Sequence, residues 1–224
     1  MTSSIHRFLA RQSFYPILLS SLLGCVFYAG RVYLSHTLTH LFLVENLVLA
    51  WVPYLCSLWA VHVHRRYPDR WWYLALPCAL WLLFFPNAPY IVTDLWHLHE
   101  RAPIPMWYDI GLFVSFGWTG FFLGIVSLRA VQALVKTFAG RAASWLFVTG
   151  VVGLSGLGIY LGRFLRWNSW DLVLHPYSVL ADAARQLAHP IRNMQTYGFI
   201  LMFAALLLAC FMTFTSIQSH ESQA

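Results

Sequence analysis

The sequence predicts an all-α fold, a polytopic transmembrane helix bundle of about six spans, on three observations. Of its 224 residues, 59% are hydrophobic and only 10% are charged, against roughly a quarter charged in soluble domains. Mean hydropathy is +0.62. Several apolar runs reach the ~20 residues that cross ~30 Å of hydrocarbon. Eleven Trp and eleven Tyr suit side chains that settle at both membrane interfaces.

The spans are expected near residues 14–35, 43–63, 72–86, 109–131, 144–165 and 194–214, within one integral membrane domain over 1–224. Arg7 and Arg11 precede the first run. No small-x-small cleavage site follows that run, so it reads as an uncleaved span rather than a secretory signal. No internal repeat suggests an inverted-repeat transporter. Cys25, Cys56, Cys78 and Cys210 lie inside apolar runs without CxxC spacing. They read as small buried hydrophobes, with neither a disulfide framework nor a zinc knuckle.

The net charge of +6 reads as topology and lipid contact. Arginines are scattered over short links, Lys136 is the sole lysine, and no basic arm forms, so nucleic acid is not an expected partner. Arg65, Arg66 and Arg70 fall between the second and third runs, and Arg129, Lys136 and Arg141 surround the link between the fourth and fifth. The intervening links are poor in basic residues. This alternation predicts both termini in the cytoplasm. The last link departs from the rule, because Arg163, Arg166, Arg185 and Arg192 would face outward. A ligand or an internal partner would account for them.

Two further elements have local signatures. Gly120/Gly124 and Gly158/Gly162 are GxxxG pairs that let backbones approach, and they predict packing of the fourth span against the fifth. Residues 177–191 form a short interfacial helix. Ser178 caps it, Val179, Leu180, Ala183 and Leu187 form its apolar face, and Pro190 ends it.

The chemistry concentrates where the third run ends. Pro86, Asn87 and Pro89 break the span there, and Tyr90, Asp94, His97 and Arg101 follow at spacings of 4, 3 and 4. A helix starting at Pro89, with Asn87 as its cap, would align those four on one face and put Ile91, Leu95 and Leu98 on the other. Such a break is tolerated where it lines a protein-covered or wet cavity. Asp94 and His97 have the i, i+3 spacing of an acid/base pair or of two metal ligands. Asp109 and Glu45 are the candidates for a third ligand, and a divalent metal is left open as a cofactor. Glu45 and Asn46 open the second span and would simply cap it on the plainer reading.

Arg163 and Arg166 lie one turn apart near the end of the fifth span, followed by Trp167, Asn168, Trp170 and Asp171. Guanidinium forks suit phosphate or carboxylate. Snorkelling arginines, or an ion pair with Asp94 or Asp109, explain the same residues. In a six-span chain all these segments share one side. The candidate catalytic group is Asp94, His97 and Asp109. The candidate ligand-binding group is Asn46, Asn87, Tyr90, Arg163, Arg166, Asn168 and Asp171. Intramembrane polar residues of this kind are functional candidates by default.

These residues also carry a resemblance. Pro86-Asn87-Ala88-Pro89-Tyr90-Ile91-Val92-Thr93-Asp94-Leu95 with His97-Leu98 resembles the signature of a bacterial multi-pass membrane family catalogued as domain of unknown function 1361. Asn46-Leu47-Val48-Leu49-Ala50-Trp51-Val52-Pro53-Tyr54 and the run from Gly162 to Asp171 are similar to its other two motifs. Glu45 departs from the pattern, which has an aromatic there. The resemblance spans roughly residues 30–215 and implies a bacterial plasma-membrane protein. It implies no activity.

Two classes of function stay open. One is a binding protein whose outward-facing polar pocket takes an anionic or lipid-headgroup ligand, or a small transporter or assembly factor of similar build. The other is a membrane-embedded hydrolase or transferase using Asp94 and His97. Polar residues crowd one side, which weakens transport relative to binding or catalysis.

Overall fold

Long unbroken apolar runs bounded by turn residues make long helices, and the computed structural model, which describes residues 2–188 and 193–221, is built from them. Helix α1 (Thr2–Arg11) leads into α2 (Phe14–Ser35) and α3 (Leu41–Arg66). Helix α4 (Ala75–Phe84) follows a 3₁₀ turn at Trp71–Leu74. Next come α5 (Asn87–Tyr90), a second 3₁₀ stretch at Ile91–His97, and α6 (Met106–Leu165). The short α7 (Asp171–Leu174), α8 (Pro176–Ala188) and α9 (Met194–Glu221) complete the chain. Among the described residues, five helical segments are long and apolar enough to cross a membrane, and the 60-residue α6 is one of them.

Helix α6 is two spans. Gly140 interrupts it with φ 82° and ψ 179°, a conformation that glycine adopts freely and other residues avoid. A straight helix would hold Gly120 and Gly158 roughly 57 Å apart. Both instead pack against the break in the third span, Gly120 at Ala88 and Gly158 at Pro86. The chain therefore folds back at Gly140, and the link expected over residues 132–143 shrinks to one residue between helical legs. The two legs add one crossing to the five apolar segments.

The glycine pairs thus have a different partner from the one expected. A Cβ on Gly120 would lie 2.6 Å from the Ala88 carbonyl oxygen, and one on Gly158 would lie 2.8 Å from Pro86 Cγ. A Cβ on Gly162 would lie 3.3 Å from the Tyr90 ring, and one on Gly124 would lie 3.5 Å from Ala88 Cβ. The glycines of both legs receive the broken stretch between them. Farther along, the legs share an apolar core of Phe121, Ile125 and Leu128 with Val148, Val151 and Val152, joined by Trp81 of α4 and Phe211 of α9.

The break follows from its prolines, which cannot donate to a helix ladder. Asn87 does not cap α5. Its amide donates to the Phe84 carbonyl at 3.0 Å and to Ser169 Oγ at 2.8 Å, tying the break to the far link. Beyond Tyr90 the chain tightens into 3₁₀ geometry, in which residues three apart eclipse. Ile91, Asp94 and His97 therefore line up, where α-helical spacing had set Ile91 opposite Asp94. Ile91 and Asp94 are buried, and Arg101 is exposed in the following turn. The short helix predicted over residues 177–191 forms as α8, starting at Pro176, so Ser178 lies inside its first turn. Pro190 and Arg192, to which the sequence reading gave roles, lie outside the described residues. The four cysteines are free and half-buried.

Candidate functional site

The polar residues of the broken span meet those of α3 and of the second leg of α6 in one clasp. Asp94 is 1% exposed. It accepts a 2.7 Å hydrogen bond from Asn46 Nδ2 on one carboxylate oxygen and faces Arg163 Nη1 at 3.4 Å on the other. Arg163 Nη2 lies 3.1 Å from His97 Nδ1. A guanidinium can only donate, so Nδ1 is the acceptor and the ring proton sits on Nε2. His97 rests on Phe42 with ring centroids 5.0 Å apart. Three segments distant in sequence are held by one carboxylate, and the pairing open to Arg163 is made with Asp94.

Asp109 belongs elsewhere. Arg31 of α2 grips it with two hydrogen bonds, Nε to Oδ1 at 2.7 Å and Nη2 to Oδ2 at 3.2 Å. His40 Nε2 lies 3.9 Å from Oδ2. Arg31, Asp109 and His40 are all at least 95% buried. His40 also packs edge-on to Phe42 and Phe113, at 5.6 and 5.0 Å, so Phe42 stands between His40 and His97. Burial first, and then the Arg31 charge, push the His40 imidazole down to about 4, against the opposing pull of Asp109. Among the described residues, no group of three His, Cys, Asp or Glu is placed to hold a metal ion. Asp109 thus adds no third ligand to Asp94 and His97, and Glu45 is exposed at the head of α3.

Arg31 and His40 escaped the sequence reading. Arg31 carried a signal, being an ionisable residue inside an apolar run, but it reads equally as a snorkelling side chain. His40 carried none. It sits at the start of α3 with φ 74°, a left-handed backbone that no local pattern announces.

Beside the clasp lies a cavity of about 940 Å³. Its polar end is lined by Asn46, Asn87, Tyr90, Arg166, Asn168 and Ser169. Its wall continues along the second leg of α6 through Val151, Leu154, Leu157 and Leu161, facing Ala79 and Leu82 of α4. Leu172, Val173, Val179 and Leu180 of α7 and α8 roof it. The roof is pinned from below, with Trp167 Nε1 donating to Asp182 at 2.9 Å and Tyr197 Oη donating to the Leu187 carbonyl at 2.7 Å. Arg166 turns the chain over the cavity with φ 60°.

The predicted residues therefore divide by place. Asn46, Asn87, Tyr90, Arg166 and Asn168 line the cavity. Asp94, His97 and Arg163 form the clasp behind Asn46. Asp171 accepts from the Asn168 backbone N–H at 2.7 Å and closes a turn. Asp109 forms the separate centre with Arg31.

Apolar helices of spanning length, folded around a polar clasp at one end, define a helical membrane protein. The chain belongs to the family described as Protein of unknown function (DUF1361), whose model matches residues 45–210. That range takes in the Asn46, Asp94 and Arg163 segments and leaves Arg31 and His40 outside. No curated protein and no solved structure matches the chain.

Proposed function

We propose that the protein binds a membrane amphiphile with an anionic headgroup, in the plasma membrane of a bacterium, with the polar end of the cavity facing outward. The cavity carries this reading. Residues 151–161 of its wall cover ~15 Å of helix rise, about half of a ~30 Å hydrocarbon core, so its apolar length matches one leaflet. Leu82 and Leu154 line it while remaining 41% and 56% exposed, which leaves a sideways opening towards the acyl chains. At the polar end, the Arg166 guanidinium has no partner among the described residues and is available to a phosphate or carboxylate. The alternation of basic links supports the outward orientation, and the family resemblance supports the bacterial membrane.

Native mass spectrometry of the full chain in detergent tests the reading with phosphatidylglycerol and phosphatidylcholine of equal chains. Retention of phosphatidylglycerol is expected, weakened by Leu157→Trp, which fills the cavity. Arg166→Gln should reduce the preference for the anionic headgroup. Failure of the wild type to retain either lipid would overturn the proposal.

A second reading makes Asp94 and His97 the acid/base pair of a hydrolase or transferase acting on such a lipid. Its support is Asn46, which both lines the cavity and bonds Asp94. Lipid turnover that disappears in Asp94→Asn and His97→Gln, with the protein still folded, is its test. The division of contacts favours the binding reading, because the Asp94 carboxylate is already occupied by Asn46 and Arg163.

A further inference from the structure

One hydroxyl in the cavity wall is unlike those of the other buried helical serines. Ser115 donates to the Leu112 carbonyl at 2.7 Å, Ser127 to Gly124 at 2.9 Å and Ser144 to Arg141 at 2.8 Å. These are the back-bonds that satisfy a helical serine. Ser155, on the second leg of α6, makes no such bond. It is 1% exposed, and its Oγ has no hydrogen-bond partner among the described residues. A buried hydroxyl left this way costs roughly 1–3 kcal/mol.

Its position gives the orphaned group a context. Ser155 belongs to the cavity wall, flanked by the apolar Val151, Leu154 and Leu157. It lies three residues before Gly158, which packs on Pro86 beside Asn87, and seven before Gly162, which packs on the Tyr90 ring, and so ~5–10 Å below the polar end. A water molecule needs two to four polar partners, and the wall a turn to either side offers only hydrocarbon. The three staggered positions of one χ1 bond let the hydroxyl turn towards an acceptor that enters the cavity. An alkyl chain supplies no acceptor and an ether oxygen a weak one. An ester or amide carbonyl set below a headgroup supplies a strong one.

We propose that Ser155 makes the cavity selective for ester- or amide-linked amphiphiles, donating its hydroxyl to the linkage carbonyl, over chains joined by an ether. The inference rests on the amphiphile-binding reading above and adds the linkage to it. A net hydrogen bond of about 0.5–1.5 kcal/mol corresponds to a roughly two- to tenfold preference.

The test is a competition by native mass spectrometry on the full chain in detergent, between diacyl and dialkyl phosphatidylglycerol of equal chain length. The wild type should favour the diacyl lipid by that factor. Ser155→Ala should bring the ratio close to one while keeping the wild-type affinity for the dialkyl lipid. The variant should be no less stable than the wild type, since it removes an unpartnered polar atom. Equal binding of both lipids by the wild type, or an unchanged preference in Ser155→Ala, overturns the role of Ser155 and leaves the binding reading in place. Binding of neither lipid overturns both.

Discussion

Gly120 and Gly124 form one GxxxG pair, yet the structure separates them, and alanine at each should act in opposite directions. In a helix, alanine is favoured over glycine by about 1 kcal/mol, so both substitutions begin with that gain. At Gly124 the new methyl would meet Ala88 Cβ at 3.5 Å and Pro89 Cδ at 3.7 Å, which is ordinary contact, and the gain survives. At Gly120 it would sit 2.6 Å from the Ala88 carbonyl oxygen and 3.0 Å from Ile91 Cδ1. The oxygen is backbone and cannot swing aside, so the leg of α6 or the broken stretch must move. Overpacking of this kind costs about 1–3 kcal/mol, leaving Gly120→Ala net destabilising by up to about 2 kcal/mol. Unfolding of the two variants in mixed micelles, followed by helical circular dichroism, reads the difference directly. Gly120→Ala should unfold at lower denaturant than wild type, and Gly124→Ala at equal or higher denaturant. Equal shifts would refute the packing of the broken stretch into the first leg of α6.

Other expectations follow from the two polar centres. Asp94→Ala should destabilise by about 2–3 kcal/mol, since it strands Arg163 and the Asn46 amide, and Asp94→Ala with Arg163→Met should recover part of that loss in a double-mutant cycle. Asp109→Ala should cost about 3–5 kcal/mol by leaving Arg31 buried and unpaired, whereas Arg31→Met with Asp109→Leu should restore most of it; a double variant as unstable as the single would contradict the buried pair. His40 gives a pH dependence of definite sign. Its folded value of about 4 lies below the ordinary 6.5, so the unfolded chain takes up the proton first as pH falls. The His40 contribution is therefore complete above about pH 6.5 and lost between there and about pH 4, with a ceiling on the order of 3 kcal/mol. His40→Asn tolerates the positive φ and should flatten that limb of the stability curve; an unchanged limb would assign it to another group.

The membrane class was legible because hydropathy adds up residue by residue, whatever the neighbours are. The break at Pro86 and Pro89 was legible for a similar local reason, since proline removes a donor wherever it stands. Asp94, Arg163 and Asn46 stood out as polar groups in apolar surroundings, and they do meet. The partner each one takes was not legible. Arg163 had two acids available at comparable sequence range, and Asp109 proved to belong to Arg31, which spacing alone does not connect to it. The tighter 3₁₀ winding of Ile91–His97 changed which residues share a face, because the choice between two helical pitches depends on what the segment packs against.

The sequence by itself determined a multi-span helical membrane protein, the position of its broken span and the polar residues around that break. Only the tertiary structure decided that both glycine pairs grip the broken stretch, that the acids divide into two centres, and that Ser155 lies in the cavity wall without a partner among the described residues. Helix formation and hydropathy are set by neighbours along the chain. Pairing and cavities depend on how helices rotate and settle against one another, and sequences that spell the same helices admit many such arrangements.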